Sequence, residues 1–219
     1  MGAPGYFKQI DGWFGRHEQQ FYEHQVAVAA SPARFVEVGS WMGRSSTCMA
    51  EAIRNSGKQI DFWCVDTWRG SDEHQQLSVV RDDALFQEFL TNIDPFRDLI
   101  QPLRMSSLEA ATRFDSESLD FVFLDAAHDF GNVVTDIEAW LPKVRPTGVL
   151  AGHDYLSCWP GVVQAVEANF GTHARVFGPC WYVSPDGSRL TAAALRDVLT
   201  ESKWRLRRLL RTGAFRRVA

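Results

Sequence analysis

Four side chains in the second half of this 219-residue sequence could act together on one small ligand: Asp125, His128, His153 and Asp154. Asp125 closes the apolar run Leu119–Leu124, and His128 follows three residues later in Asp125-Ala-Ala-His128. His153-Asp154 closes a second apolar run, Gly148–Gly152. If the two runs are adjacent parallel strands, all four groups meet at one rim of the sheet. Two carboxylates and an imidazole, with the remaining positions open to water and substrate, suit an octahedral divalent cation. The oxygen ligands favour Mg2+, and His153 as a third ligand tilts the set toward Mn2+; His153 as an outer hydrogen-bond partner is the other reading. His128 is then placed to take a proton from a hydroxyl made more acidic by the metal. Singly, each acid is as readily a helix cap and each histidine a solvated loop residue, so it is their joint placement that points to a site.

A second set lies in the first half, in Glu37-x-Gly39-x-x-x-Gly43-x-Ser45 and in Val65-Asp66-x-Trp68. Glycines between a strand and a helix let backbone approach a ligand at the free N–H groups of the helix start. The dinucleotide fingerprint G-x-G-x-x-G is absent, because Trp41 stands where its second glycine belongs. Glu37, one residue inside an apolar strand, must be satisfied by the protein or bind something. Asp66 ends the second strand, where an acid accepts ribose hydroxyls; its alternative is to cap the next turn. Together they suit a ligand with a ribose, a positive centre and no phosphate.

These groups need a frame that brings strand ends to one edge. Apolar runs at Arg34–Val38, Ile60–Val65, Leu99–Met105, Leu119–Leu124 and Gly148–Gly152 alternate with helical patterns at Arg16–Ala30, Ser45–Asn55, Asp83–Leu90, Asn132–Leu141 and Val162–Phe170. This predicts a doubly wound α/β fold with a mostly parallel sheet. The runs Ala174–Phe177 and Trp181–Ser184 are joined by three residues, too few for a crossover, so they form a terminal antiparallel hairpin. One domain over residues 1–219 is expected: a helical lid or anchor at 1–32, a core at 33–185 and a basic amphipathic helix within 191–213.

Composition narrows the partners. From Glu201 onward seven basic residues face one acid, which leaves a balance of -10 on the rest of a chain whose net charge is -4. So acidic a body is a poor general nucleic-acid binder. The C-terminal helix, Thr191–Arg211, either packs on the domain, docks a second copy in a homo-oligomer, or touches an anionic surface. No apolar run approaches membrane-spanning length and the N-terminus lacks a signal-peptide pattern, so a cytoplasmic protein is expected. The four cysteines read as reduced thiols, with Cys48 and Cys64 as core hydrophobes. Trp41, Trp68, Tyr155 and Trp159 are aromatics that could stack on a pyranose, and Tyr6–Trp13 could fold over the site.

The motifs around Gly39 and Asp66 resemble the first two motifs of class I S-adenosylmethionine-dependent methyltransferases, over approximately residues 33 to 185. The resemblance implies that family's seven-stranded sheet. It implies that Gly39 and Ser40 lie under the methionine and ribose, that Asp66 holds the ribose, and that Ser106 and Ser107 lie near the adenine. Glu37, Gly43, Ser45 and Trp68 belong to the same motifs, and Asp125 would stand beside the sulfonium. The second half resembles metal-dependent sugar O-methyltransferases of the type that acts on macrolide sugars. There Asp125, His128 and Asp154 match an Asp-x-x-His motif followed by two acids, and His153 departs from it by standing where that group has a carboxylate. The implied activity is Mg2+- or Mn2+-assisted methylation of a hydroxyl on a sugar or small glycoside, as in polysaccharide biosynthesis, with His128 as general base. A mycobacterial-type enzyme of methylated mannosides, a catechol-type O-methyltransferase and a non-catalytic cofactor-binding module are the alternatives.

Overall fold

A computed structural model describes residues 4–70, 76–81 and 84–186. The expected basic helix Thr191–Arg211, with the partner surface assigned to it, lies outside the described residues. Seven strands form one sheet in the order β3-β2-β1-β4-β5-β7-β6. They are β1 (Ala33–Val38), β2 (Ile60–Asp66), β3 (Ile100–Arg104), β4 (Leu119–Leu124), β5 (Val144–Gly152), β6 (Arg175–Phe177) and β7 (Cys180–Val183). The first five pair in parallel, and β7 pairs antiparallel with both β5 and β6, as the short link Gly178-Pro179 requires. The chain runs outward from β1 to β3 and then returns to β4, so the topological switch falls between β1 and β4. Ligands of such sheets bind beyond the strand ends at that switch.

Strand alternation divides the core in two. Phe35, Phe121 and Phe123 face α1 (Arg16–Val28) and α2 (Arg44–Ser56), where they meet Phe21 and Tyr22. The Tyr22 and Phe123 rings pack edge-on at 4.9 Å. Val36, Val38, Val122 and Leu124 face the other side and pack with Val133, Ile137 and Trp140 of α6 (Phe130–Trp140). Central strands buried on both faces explain why β1 and β4 read as near-continuous apolar runs. Among the described residues no helix is long and apolar enough to cross a membrane.

Between β2 and β3 lie α3 (Ser78–Arg81), which the sequence reading did not include, and α4 (Leu85–Ile93); two further differences lie nearer the site. The fifth strand begins at Val144, four residues earlier than expected, because a register shift absorbs Pro146: Leu119 pairs with Val144, but Phe121 pairs with Val149. A short helix, α5 (Ser107–Ala111), follows β3. Its start is a capping box in which Ser106 Oγ accepts the Glu109 N–H and the Glu109 carboxylate accepts the Ser106 N–H. That S-x-x-E signal is present in the sequence.

Candidate functional site

The turn after β1 is fixed by backbone contacts. Gly39 adopts φ +92°, and a Cβ there would fall 2.1 Å from the Asp125 carbonyl oxygen. Only glycine lets this turn lie against the end of β4. The Gly39 N–H donates to Val65 O and the Asp125 N–H to Val38 O, each at 2.8 Å, so the ends of three strands are tied together. Gly43, also left-handed, opens α2 with Phe89 and Ile93 pressed on its Cα side.

Asp66 ties the second strand to this turn. Its Oδ2 accepts the Trp41 N–H at 2.9 Å and its Oδ1 the Trp68 N–H at 2.7 Å. Burial raises its pKa, and these backbone donors pull it back down. Asp66 therefore does cap its own turn, while its remaining lone pairs stay on the cavity wall. Trp68 is fully buried, with its ring 4.6 Å from both Phe86 and Phe89 and its Nε1 donating to Trp41 O. Glu37 points the same way as Phe35, into the α1–α2 core. There the Tyr22 hydroxyl donates to Oε1 (2.9 Å), while the Ser46 hydroxyl and, more weakly, the Cys64 thiol donate to Oε2. Burial raises the Glu37 pKa against the pull of those hydroxyls.

A cavity of about 820 Å3 opens over the switch point. Of the residues expected there, Gly39, Ser40, Ser45, Asp66, Ser106, Ser107, Asp125, His128, His153 and Asp154 line its wall. Glu37, Gly43 and Trp68 do not; they support the wall from behind. Of the rim aromatics, Trp41 and Trp159 face the cavity, while Tyr155 is buried with its hydroxyl donating to Glu167. The sequence reading passed over Arg44, Asn132 and Asp136, which also line the cavity. The N-terminal segment does reach the site, through Gly12, Trp13 and Phe14. Arg44 holds it there, donating from Nη1 to Ile10 O (2.9 Å) and from Nε to Phe14 O (3.1 Å).

At the β4–β5 rim carboxylates and imidazoles face one another. His153 Nδ1 lies 3.3 Å from Asp154 Oδ1 and 3.6 Å from Asp125 Oδ1, and its Nε2 lies 3.0 Å from Glu18 Oε1 on α1. Burial by itself would lower the His153 pKa, but Asp125, Asp154 and Glu18 outweigh it and raise it to about 11. Both ring nitrogens of His153 are thus turned to carboxylates, the geometry of an outer hydrogen-bond partner. The partner of Nε2, Glu18, comes from α1 at the far N-terminal end of the fold, a contact the sequence reading did not include.

The donor atoms that do converge belong to Asp125, His128 and Asp154, all within 4.8 Å of one another. Within this group His128 Nε2 is 3.0 Å from Asp154 Oδ2, and carboxylates with an imidazole are the donor types of a divalent cation site. The donor set thus fits a divalent cation. Burial opposes ionisation of Asp154, yet hydrogen bonds from His128 and His153 hold it well below the usual carboxylate range. Burial raises Asp125 to about 7, against the pull of His153 and with a push from Asp154. His128 stacks on Trp159, with ring centroids 4.2 Å apart.

Comparison with known proteins fits this geometry. The model of a methyltransferase domain family matches residues 36–155, more than half of the chain and both rims of the cavity. The chain belongs to that family. Its methyl donor is S-adenosylmethionine, and the cavity wall carries the carboxylates of Asp66, Asp125 and Asp136. An uncharacterized protein of Sinorhizobium fredii, y4gI, is 27% identical over 154 residues, covering 70% of this methyltransferase but only 16% of that protein. Among solved structures, the O-methyltransferase NovP matches with a TM-score of 0.59 at 16% identity, over 78% of this chain and 80% of that one. Cofactor-bound Rv0187 from MTB matches at 0.55 with 14% identity, over 84% and 91% of the two chains. CalS11, a TDP-rhamnose 3'-O-methyltransferase of calicheamicin biosynthesis, matches at 0.53 with 13% identity, over 76% of each. At these identities the structural likenesses establish the fold.

Proposed function

We propose that this methyltransferase acts on a hydroxyl of a sugar or small glycoside, with a divalent cation at Asp125 and Asp154 and with His128 as general base. The observation that carries this reading is the convergence of Asp125, His128 and Asp154 on one stretch of the cavity wall. S-adenosylmethionine supplies a methyl group already activated on a sulfonium. Asp66 would receive the ribose hydroxyls, with Gly39 and Ser40 beneath the nucleoside–methionine junction and Ser45 on the same wall. Glu37, Gly43 and Trp68 would act on the cofactor only through the shape of that wall.

A bound Mg2+ or Mn2+ would lower the pKa of an acceptor hydroxyl. An acceptor hydroxyl bound beside Asp154 would lie near the His128 imidazole, which would accept its proton. Asp154 orients that imidazole, and Trp159 fixes the plane of its ring. The exposed Trp13, 5.8 Å from Trp41, and Trp159 offer apolar ring faces to a pyranose. CalS11 takes a sugar acceptor by its name, which supports the same class here. The reading makes the chain a cytoplasmic enzyme of a small-molecule acceptor rather than of nucleic acid.

His153 favours a second reading. Its cation already balances part of the charge on Asp125 and Asp154, so His128 and Asp154 could serve as a metal-free dyad. Methyl transfer from labelled S-adenosylmethionine to nucleotide sugars, glycosides and catechols, with chelator and then with added Mg2+ or Mn2+, separates these readings. Loss of turnover in chelator with recovery on adding metal supports the cation. Full turnover in excess chelator selects the dyad, and turnover with catechols alone overturns the sugar acceptor.

A further inference from the structure

We infer that Glu18, on α1, is a positioning residue for methyl transfer: it holds His153 in place and, through that ring, Asp154 and His128. The inference rests on the reading of His128 as general base. Glu18 Oε1 lies 3.0 Å from His153 Nε2, and both side chains are buried, at 11% and 9% exposure. An ionised carboxylate only accepts, so the hydrogen in this contact is the one on Nε2. The ring is thereby held at one nitrogen, and the other is aimed at the rim.

There Nδ1 lies 3.3 Å from Asp154 Oδ1 and 3.6 Å from Asp125 Oδ1. Asp154 divides its carboxylate between two rings, with Oδ1 toward His153 and Oδ2 at 3.0 Å from His128 Nε2. Its backbone stands at φ +58°, a region that a non-glycine residue keeps only where its surroundings fix it. One imidazole on each oxygen supplies that constraint at the side chain. Glu18 is thus three contacts from the proposed base: to His153, from His153 to Asp154, and from Asp154 to His128.

The same carboxylate turns back to the start of its own helix, where a Cβ on the N-cap residue Gly15 would lie 3.3 Å from Glu18 Oε2. Gly12, Trp13 and Phe14, just before that residue, line the cavity. One buried acid therefore joins the N-terminal segment of the cavity wall to the β4–β5 rim. A residue that served only the helix start would have no need of a ring at the end of β5.

Side-chain NMR of the 15N-labelled full-length protein with S-adenosylhomocysteine bound tests this, the ring signals being assigned by their loss in His128→Ala and His153→Ala. The wild-type His153 Nε2–H should give a downfield signal protected from exchange with water, and rapid exchange would overturn the inference. Glu18→Ala should abolish that protection and also shift the His128 ring signals, while affinity for S-adenosylhomocysteine is kept. Unmoved His128 signals would leave Glu18 a helix-start residue and overturn the inference. Should Glu18→Ala not fold, Glu18→Gln keeps the size of the side chain and should move both rings the same way by a smaller amount; unmoved rings overturn the inference there too. Labelled methyl transfer to the nucleotide sugars, glycosides and catechols gives the kinetic arm. Glu18→Ala should lower kcat about 10- to 100-fold, the cost of a misplaced catalytic group. In a His153→Ala background it should add less than about twofold, because the two residues act as one chain. Losses that multiply would overturn the inference alone. Full turnover in His128→Ala refutes the reading of His128 as base, and the inference with it. Absence of wild-type turnover on every acceptor refutes the acceptor reading, and the ring signals then decide the inference by themselves.

Discussion

The β1–β2 rim and the β4–β5 rim hold the same kinds of group in opposite states. At β1–β2 the acids are satisfied by the protein itself: Glu37 by Tyr22 and Ser46, and Asp66 by the N–H groups of Trp41 and Trp68. Among the described residues neither has an imidazole partner. At β4–β5 three carboxylates share two imidazoles, and the charges set one another: His153 is pushed up to about 11, Asp154 is held low and Asp125 is raised to about 7. The first rim is a shape, held by hydrogen bonds that a ligand need not complete. The second is a charge distribution whose balance changes when a proton or a cation arrives. The proposed function assigns binding to the first and chemistry to the second, and the two touch at Gly39 and Asp125.

That contact is where the comparison breaks most easily. Gly39→Ala places a methyl against the Asp125 backbone at positive φ, and should cost at least about 4 kcal/mol in urea unfolding. A cost under about 1 kcal/mol would show that the strand ends have room to part. Next, His128→Ala should lower the methyl-transfer rate about 10²- to 10⁴-fold while the calorimetric affinity for S-adenosylhomocysteine stays within about threefold. Equal loss of both would dissolve the division between rims.

Glu37→Gln sharpens the other side, with an expected stability loss of about 1–3 kcal/mol and unchanged S-adenosylhomocysteine affinity. Because burial raises the Glu37 pKa above its ordinary 4.5, its own contribution is greatest below that pH and declines as pH rises through the folded value. The stability gap between wild type and variant should therefore narrow from acid toward neutral pH, and a widening gap would contradict the assignment. The smallest effect expected is that of Trp13→Ala, whose exposed ring would stack on the acceptor. An increase in acceptor KM of about two- to tenfold, without change in kcat or in cofactor affinity, is the outcome to look for.

Much of this arrangement is legible in the chain. The apolar runs of β1 and β4, the acids at the ends of β2 and β4, and the short link before β7 dictate a doubly wound sheet with an antiparallel edge. They also dictate which strand ends carry ionisable groups, because period-two burial and short connections are local properties. Spacing alone likewise placed Asp125, His128 and Asp154 near one another. The capping box at Ser106 and Glu109 was readable too, and with it the start of α5.

What spacing does not encode is where a side chain points and what arrives from far along the chain. Glu37 and Asp66 look alike in sequence and share a pleat phase, yet one turns into the α1–α2 core and the other lies on the cavity wall. Glu37 is level with Cys64 inside the ladder, whereas Asp66 stands two residues further, level with the Gly39 turn. His153 reads in sequence as a ligand or as an outer hydrogen-bond partner, and only the fold brings Glu18, 135 positions away, to its second nitrogen. Each of these outcomes depends on a contact between distant segments, and a group's charge and direction are properties of its neighbours rather than of its type.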